Sequence, residues 1–420
     1  MPREEDVLTS LPEIVPGLED LYRDLHAHPE LAYTEHRTAA IVAARLRECG
    51  FTVTEHVGVT GVVGVLRNGD GATVMLRADM DALPVEEKTG LDYASTATTT
   101  NETGETVPLM HACGHDMHVT CLLGAAHLMA SSQEHWSGTL VALFQPAEEG
   151  RGGAKRMIAD RLFEFTGKPD VVLGQHVFPY LAGTIGYRAG PILAASDGYE
   201  VRLFGRGAHG SRPETGVDPV VLAASVVMRL QTIVSREVAA DQQAVLTVGA
   251  INAGTEANII SDHADLKLSV RTFDREVSAR VLSSVRRVIE AECVASGSPK
   301  PPEFAELFGF TPTVNDEAAT ERVVRGLRAR LGADAVREIA PIMGSEDFGE
   351  FGAAVGAPYV FWALGGADPQ AYAAAQAAGV LEEEIPSNHS PLFAPVIQPT
   401  LGTGVTALVA AALQWLVGTP

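Results

Sequence analysis

The chain has 420 residues, 46% of them apolar and 20% charged, with a formal net charge of −22. The proportions are those of a soluble globular protein of roughly two to three domains. The acid excess repels nucleic acid and anionic membrane surfaces, so neither is expected as a partner. The N-terminal stretch has no apolar core of leader length, and no apolar run reaches the ~18 residues of a membrane span. A cytoplasmic location is therefore expected. Four cysteines, Cys49, Cys113, Cys121 and Cys293, are too few and too scattered for a disulfide framework.

Apolar residues at helical spacing predict a helix over 11–28, stopped by Pro29, and a second over 34–49, closed by Gly50. Strands are expected at 51–57, 61–66 and 73–78. The last is apolar enough to be buried on both faces and runs into Asp79 and Asp81. The polar, Thr-rich stretch 92–109 reads as a loop or hairpin. A helix over 116–131, a strand over 138–144, a helix over 152–159 and a short strand over 171–173 follow. Alternation of strand and helix argues for an α/β sheet. From about residue 193 the pattern changes to strand 198–204, helix 219–234, strands 244–251 and 264–272, helix 277–295 and strand 303–308. That βαββαβ order is the ferredoxin-like split unit. The first architecture resumes after 310, with a helix over 316–331, a strand over 358–364 and a helix over 398–416. The expected organisation is a discontinuous α/β domain, 1–192 and 310–420, carrying an inserted domain at 193–309.

Candidate chemistry concentrates in Met110–His118, which holds one thiol, three imidazoles and one carboxylate. In an extended or turn segment Cys113 and His115 point the same way and can grip one ion. Thiolate with imidazole suits Zn, Mn, Fe, Co or Ni better than Mg or Ca. A buried thiol beside a surface histidine would give the same pattern. Glu148 and Glu149 follow a strand; adjacent carboxylates point apart, so one can bind metal while the other carries a proton. His176 and His389 are each ambiguous alone. The 79–81 turn, Glu148-Glu149 and His176 all follow expected strands, at the edge where α/β sheets collect ligands. Cys113, His115, Glu149, His176 and His389 are enough ligands for two divalent ions, with Asp79 and Asp81 as supports or further ligands.

Five segments carry a family resemblance: Leu76–Pro84, His111–Asp116, Phe144–Gly150, Gly344–Phe348 and Asn388–Pro391. In this order they resemble the M20 metallopeptidases, most closely the M20D amidohydrolase branch of N-acyl-amino-acid amidohydrolases, hippurate hydrolases and auxin-conjugate hydrolases. The likeness runs from about residue 20 to the C-terminus. It implies a dimetal aminopeptidase-like catalytic domain with a mixed central sheet, plus an inserted lid domain that usually dimerises. By position it implies Cys113, His115, Glu149, His176 and His389 as ligands of two ions (Zn, Mn, Ni or Co). Glu148 stands as the general base and acid, and Asp81 as support for a ligand histidine. From the lid it implies His209 reaching the substrate carbonyl, in its own or the partner site, and Asn258 with Arg271 holding the substrate carboxylate. The lid loop departs from the pattern at Glu214, where many relatives have a second histidine. The implied activity is hydrolysis of N-acyl-L-amino acids; the alternative is a dipeptidase or carboxypeptidase of the same family.

Overall fold

The computed structural model describes residues 7–100 and 104–416. The chain folds as two compact units. One comprises Met1–Ile192, Val314–Ala340 and Asp347–Pro420; the other Leu193–Thr313 and Pro341–Glu346. The insertion reading drew its second boundary at 309/310 and gave the inserted unit no later segment. The backbone N–H of Ala194 donates to Ile342 O and Gly344 O, which ties the returning 341–346 segment to the inserted unit.

The larger unit is built on one eight-stranded mixed sheet. Its strand order is Thr52–Val57, Gly61–Asn68, Gly138–Gln145, Thr73–Asp79, Val171–Leu181, Tyr359–Ala367, Ile185–Tyr187 and Val336–Glu338. The central pairs 73–79 with 138–145, 73–79 with 171–181 and 171–181 with 359–367 are parallel. Parallel strands are covered on both faces, and here they are: Val74, Met75, Leu76, Leu140–Phe144 and Val171–Leu173 are all buried. The helix His115–Ser131 is apolar around most of its circumference and buried almost throughout, as expected of a helix in the core of a large unit. It packs against Leu11–Ala27 and Ile397–Leu416.

The smaller unit has a four-stranded antiparallel sheet in the order Ala244–Ala253, His263–Thr272, Ala195–Phe204, Glu303–Phe310. Helices Pro219–Glu237 and Arg275–Ala295 pack on it through Leu222, Val226, Leu230, Val281, Val285 and Ile289. Asp218 and Asp274 cap the two helices by accepting backbone N–H groups of their first turns. This is the split βαββαβ arrangement.

Two expectations need correction. The strand at 171–173 extends to Leu181, because Tyr359–Ala367 pairs with it through the Gly174-Gln175 interruption. His176 therefore sits within a strand, not after one. Two helices, Pro219–Glu237 and Ile397–Leu416, are long and apolar enough to cross a membrane by length and composition, against the expectation of no such run. Ile397–Leu416 is buried in the core over most of its length, and Pro219–Glu237 lays one face on the four-stranded sheet. Short helices at Leu162–Thr166, Gly349–Val355, Pro369–Ala378 and Leu381–Glu384 lacked a long enough period to be read from sequence.

Candidate metal centre

Gly114 starts the helix that carries the centre. Its φ is +81°, and a Cβ there would lie 2.4 Å from Val177 Cγ1. Only glycine satisfies both conditions. This sharp entry puts Cys113 just before the helix and His115 at its first position, both buried. Cys113 Sγ lies 3.4 Å from His176 Nε2. The other ring nitrogen of His176 donates to Val177 O at 2.8 Å, which leaves Nε2 as the lone-pair nitrogen facing the thiol. Cys113, His115 and Glu149 each offer a ligand atom within 4.8 Å of the others, and so do Asp79, His115, His118 and His176.

His389 arrives from a loop stitched to the motif. Its backbone N–H donates to Ala112 O at 2.8 Å, and Asn388 Nδ2 donates to Val177 O at 3.0 Å. His389 has a φ of +70° and is the exposed member of the set; its Nε2 stands 3.1 Å from Glu149 Oε1. The five expected ligands thus form one connected group around Cys113, His115 and Glu149, and Glu148 is buried next to it.

The donor set fits divalent cations. Both ring nitrogens of His115 are buried without a hydrogen-bond partner, and the buried Glu149 Oε1 has the 3.1 Å His389 contact but no well-aligned hydrogen bond. Buried polar atoms are nearly always satisfied, so such a cluster marks a place for an ion. The electrostatics agree. Burial opposes charge on His115, yet Asp79, Asp81 and Glu149 outweigh it and push its pKa up to about 10. Burial, then Glu149, Glu148 and Asp79, raise the Cys113 thiol well above its usual range. Burial and the neighbouring His118 hold His176 well below its usual value, neutral and ready to donate a lone pair. The pocket is short of positive charge, and a bound divalent ion deprotonates a coordinating thiol.

Behind the ligands stands a polar layer. Arg77 donates to Asp79 Oδ2 at 2.7 Å and to Gln145 Oε1 at 2.8 Å, and its other amine lies 3.3 Å from Asp347. Asp79 hydrogen-bonds His118 Nδ1, and His118 Nε2 accepts the backbone N–H of Val177 at 2.8 Å. His118 is therefore spent on the His176 strand and is not a free ligand. The chain Arg77–Asp79–His118–Val177 holds the backbone next to His176, a role invisible to ligand spacing. Asp81, expected to support a ligand histidine, touches both the glutamate turn and His115. Its two oxygens accept the N–H groups of Glu148 and Glu149 at 3.0 Å each, and Oδ1 lies 3.3 Å from His115 Nδ1. On the other side of the same helix turn, His26 bridges Asp116 at 2.7 Å and Glu87 at 3.1 Å.

The remaining expected residues belong to the smaller unit. His209 is exposed on a short ladder with Ile259, and its Nδ1 accepts from Ser211 N–H. Asn258 O accepts Gly210 N–H, so Asn258 and His209 are neighbours. Arg271 is not with them. It pairs with Ser196 at the opposite end of the His263–Thr272 strand and donates to Met343 O at 2.5 Å. Its spacing of eight residues from His263 spans roughly 26 Å of strand. Within one chain the Asn258/Arg271 pair inferred from spacing is not assembled.

Residues 75–387 match the peptidase family M20/M25/M40. The chain is 39% identical to the hippurate hydrolase of Campylobacter jejuni, over 81% of this chain and 87% of that protein. It is 36% identical to thermostable carboxypeptidase 1 of Saccharolobus solfataricus, over 82% of this chain and 86% of that protein. A solved dinuclear metal-binding peptidase of family M20 from Bacillus subtilis superposes with a TM-score of 0.76 at 27% identity, covering 96% of this chain and 98% of that one. The chain belongs to peptidase family M20/M25/M40 and is one of its metal-dependent amidohydrolases.

Proposed function

We propose that the protein cleaves the amide of N-acyl-L-amino acids, releasing a carboxylic acid and a free amino acid. One observation carries the reading: a buried His/Cys/Glu cluster, in which both ring nitrogens of His115 lack a partner, lies beside a second buried carboxylate, Glu148. Cys113, His115, Glu149, His176 and His389 would hold two divalent ions, Zn, Mn, Ni or Co. When bound, such ions supply Lewis acidity toward the scissile carbonyl and the attacking water. Glu148 takes the proton of that water and returns it to the leaving nitrogen. Asp81 and the Arg77–Asp79–His118 chain keep these groups in place. His209 is assigned to the developing oxyanion, in its own or a partner site, and Asn258 and Arg271 to the substrate carboxylate. Because Asn258 and Arg271 are apart within one chain, two copies would have to supply them to one site. The edge strand Ala244–Ala253, with exposed Val245 and Ile251, and the exposed Val220, Val221 and Met228 on the adjacent helix support a homodimer through this unit. We place the enzyme in the cytoplasm, and its acid excess speaks against nucleic-acid and anionic-membrane partners.

Hippurate is the benzoyl amide of glycine, and the hippurate hydrolase relative favours simple acyl groups. The carboxypeptidase relative favours a second reading, in which the acyl group is a peptide. The reacting bond is the same. Release of free amine from N-acetyl, N-benzoyl and indoleacetyl amino acids, compared with dipeptides at equal metal loading, decides between them. Higher kcat/KM on the N-acyl set is expected. Higher kcat/KM on dipeptides selects the second reading, and no metal-dependent release from either set refutes both.

A further inference from the structure

The turn that carries Glu148 is unusual in its backbone. Ala147 has a φ of +54°, a conformation that disfavours a residue with a Cβ, and two residues with buried or partly buried carboxylates follow it directly. Three successive N–H groups, those of Ala147, Glu148 and Glu149, converge on two carboxylates. Ala147 N–H donates to Glu35 Oε1 at 2.9 Å, while Glu148 N–H and Glu149 N–H donate to the two oxygens of Asp81. Consecutive backbone N–H groups in such a turn form an anion-binding concavity, and here the anions belong to the protein itself.

Glu35 is the unexpected member. It precedes the helix His36–Glu48 at the position where a carboxylate ordinarily caps the helix, yet it makes no capping bond. Its side chain crosses instead to a backbone amide 112 positions away. The second oxygen accepts the Thr60 hydroxyl at 2.5 Å. Glu35, Thr60 and Asp81 are all buried. Burial and the nearby Asp81 charge push the Glu35 carboxyl up to about 7, against the pull of its two donors. Keeping a carboxyl there is costly, and an apolar side chain would fill the space without that cost. What an apolar side chain cannot do is hold the Ala147 amide.

We infer that Glu35 is a positioning residue for Glu148: with Asp81 it clamps three consecutive amides of the 147–149 turn and fixes the direction in which the proton-carrying carboxyl is presented. The inference rests on the reading of Glu148 as that proton carrier. Asp81 acts from the sheet side and Glu35 from the helix side, so neither alone defines the turn. Removal of Glu35 frees Ala147 to leave its positive φ, and the Glu148 carboxyl moves with it. A displacement of about 1 Å at a reacting group costs up to ~10²-fold in rate.

The test uses the metal-loaded full chain and whichever N-acyl amino acid the wild type hydrolyses, with kcat, KM and bound metal measured together. Glu35→Ala should lower kcat by at least about tenfold, with KM and metal content within about twofold of wild type. Glu35→Gln keeps an oxygen for the Ala147 amide and should restore kcat to within about threefold. A purely structural role would lower the yield of folded protein or its metal content, not kcat per loaded site. A Glu35→Ala variant with wild-type kcat overturns the inference, as does a loss that tracks lost metal or a Gln variant as slow as Ala. Should Glu35→Ala fail to fold, Thr60→Val decides: a lowered kcat at unchanged KM supports the clamp, and an unchanged kcat overturns it. Glu148→Gln run in parallel separates the two levels. If that variant is inactive and Glu35→Ala is not impaired, the clamp alone falls; if Glu148→Gln is fully active, the reading of Glu148 falls and takes the clamp with it.

Discussion

Two buried histidines flank the first turn of the helix His115–Ser131, and they have much in common. His26 and His115 each lie among carboxylates, and each is pushed up to about 10 by them against burial. Their hydrogen bonding differs. His26 uses both ring nitrogens, one on Asp116 and one on Glu87, and Glu87 is further held by Thr89 and the Ser95 N–H. His115 uses neither, although Asp81, Asp79 and Glu149 stand 3.3–3.9 Å from its nitrogens. The charge around the two rings is alike, so charge alone does not identify a ligand. A closed set of hydrogen bonds marks a structural histidine. An open set marks one that waits for a cation.

Removing the metal is expected to have the largest effect. Chelation should abolish hydrolysis, and Zn, Mn, Co or Ni should restore it. It should also lower the melting temperature, because an ion present at a hundred times its Kd contributes about 2.7 kcal/mol to the folded state. Full activity in metal-free protein, checked by elemental analysis, would erase the distinction between His115 and His26. Next comes Glu148→Gln, expected to lower kcat by roughly 10²–10⁴-fold at unchanged metal content. A variant that keeps both its metal and its full activity removes Glu148 from the proton path. A smaller effect is expected behind the ligands. His118→Ala breaks the link between Asp79 and the Val177 amide and should weaken metal binding by about 10–100-fold. If a competition titration with a chromophoric chelator shows no change, His118 does not position His176.

The candidate cluster was legible because its signal is local. Cys113-Gly114-His115, Glu148-Glu149 and Asn388-His389 are short segments whose residue types alone restrict the chemistry. Asp79 and Asp81 were legible as supports, but the amides that the supporting groups hold were not, because each group acts over distance through the backbone. Glu35 reaches Ala147, His118 reaches Val177, and Asp81 reaches two amides at once. Nothing in the composition of those segments announces a hydrogen bond to an amide many residues away. His176 was misplaced for a related reason. Gly174-Gln175 looks like the end of a strand until the partner Tyr359–Ala367 supplies the hydrogen bonds that continue it. Asn258 and Arg271 stand apart within one chain because sequence spacing measures chain length, and a straight strand turns that length into separation.

The smallest effect on turnover is expected at His26, and it sharpens the comparison from the structural side. Its pKa rises from 6.5 in the unfolded chain to about 10 in the fold. A raised pKa means that the folded state binds the proton more tightly. The stabilisation is therefore complete below pH 6.5 and is lost as pH rises through about 10. Urea unfolding of the wild type should show stability falling between these limits, and His26→Gln should flatten that slope. The Gln variant leaves Asp116 and Glu87 without their shared cation, so it should be less stable than the wild type at neutral pH. Its kcat and metal content should stay within about threefold of wild type, because no ligand atom faces His26. A variant that instead folds normally but loses metal would place His26 with the open centre, and would show that hydrogen-bond closure does not separate the two kinds of histidine.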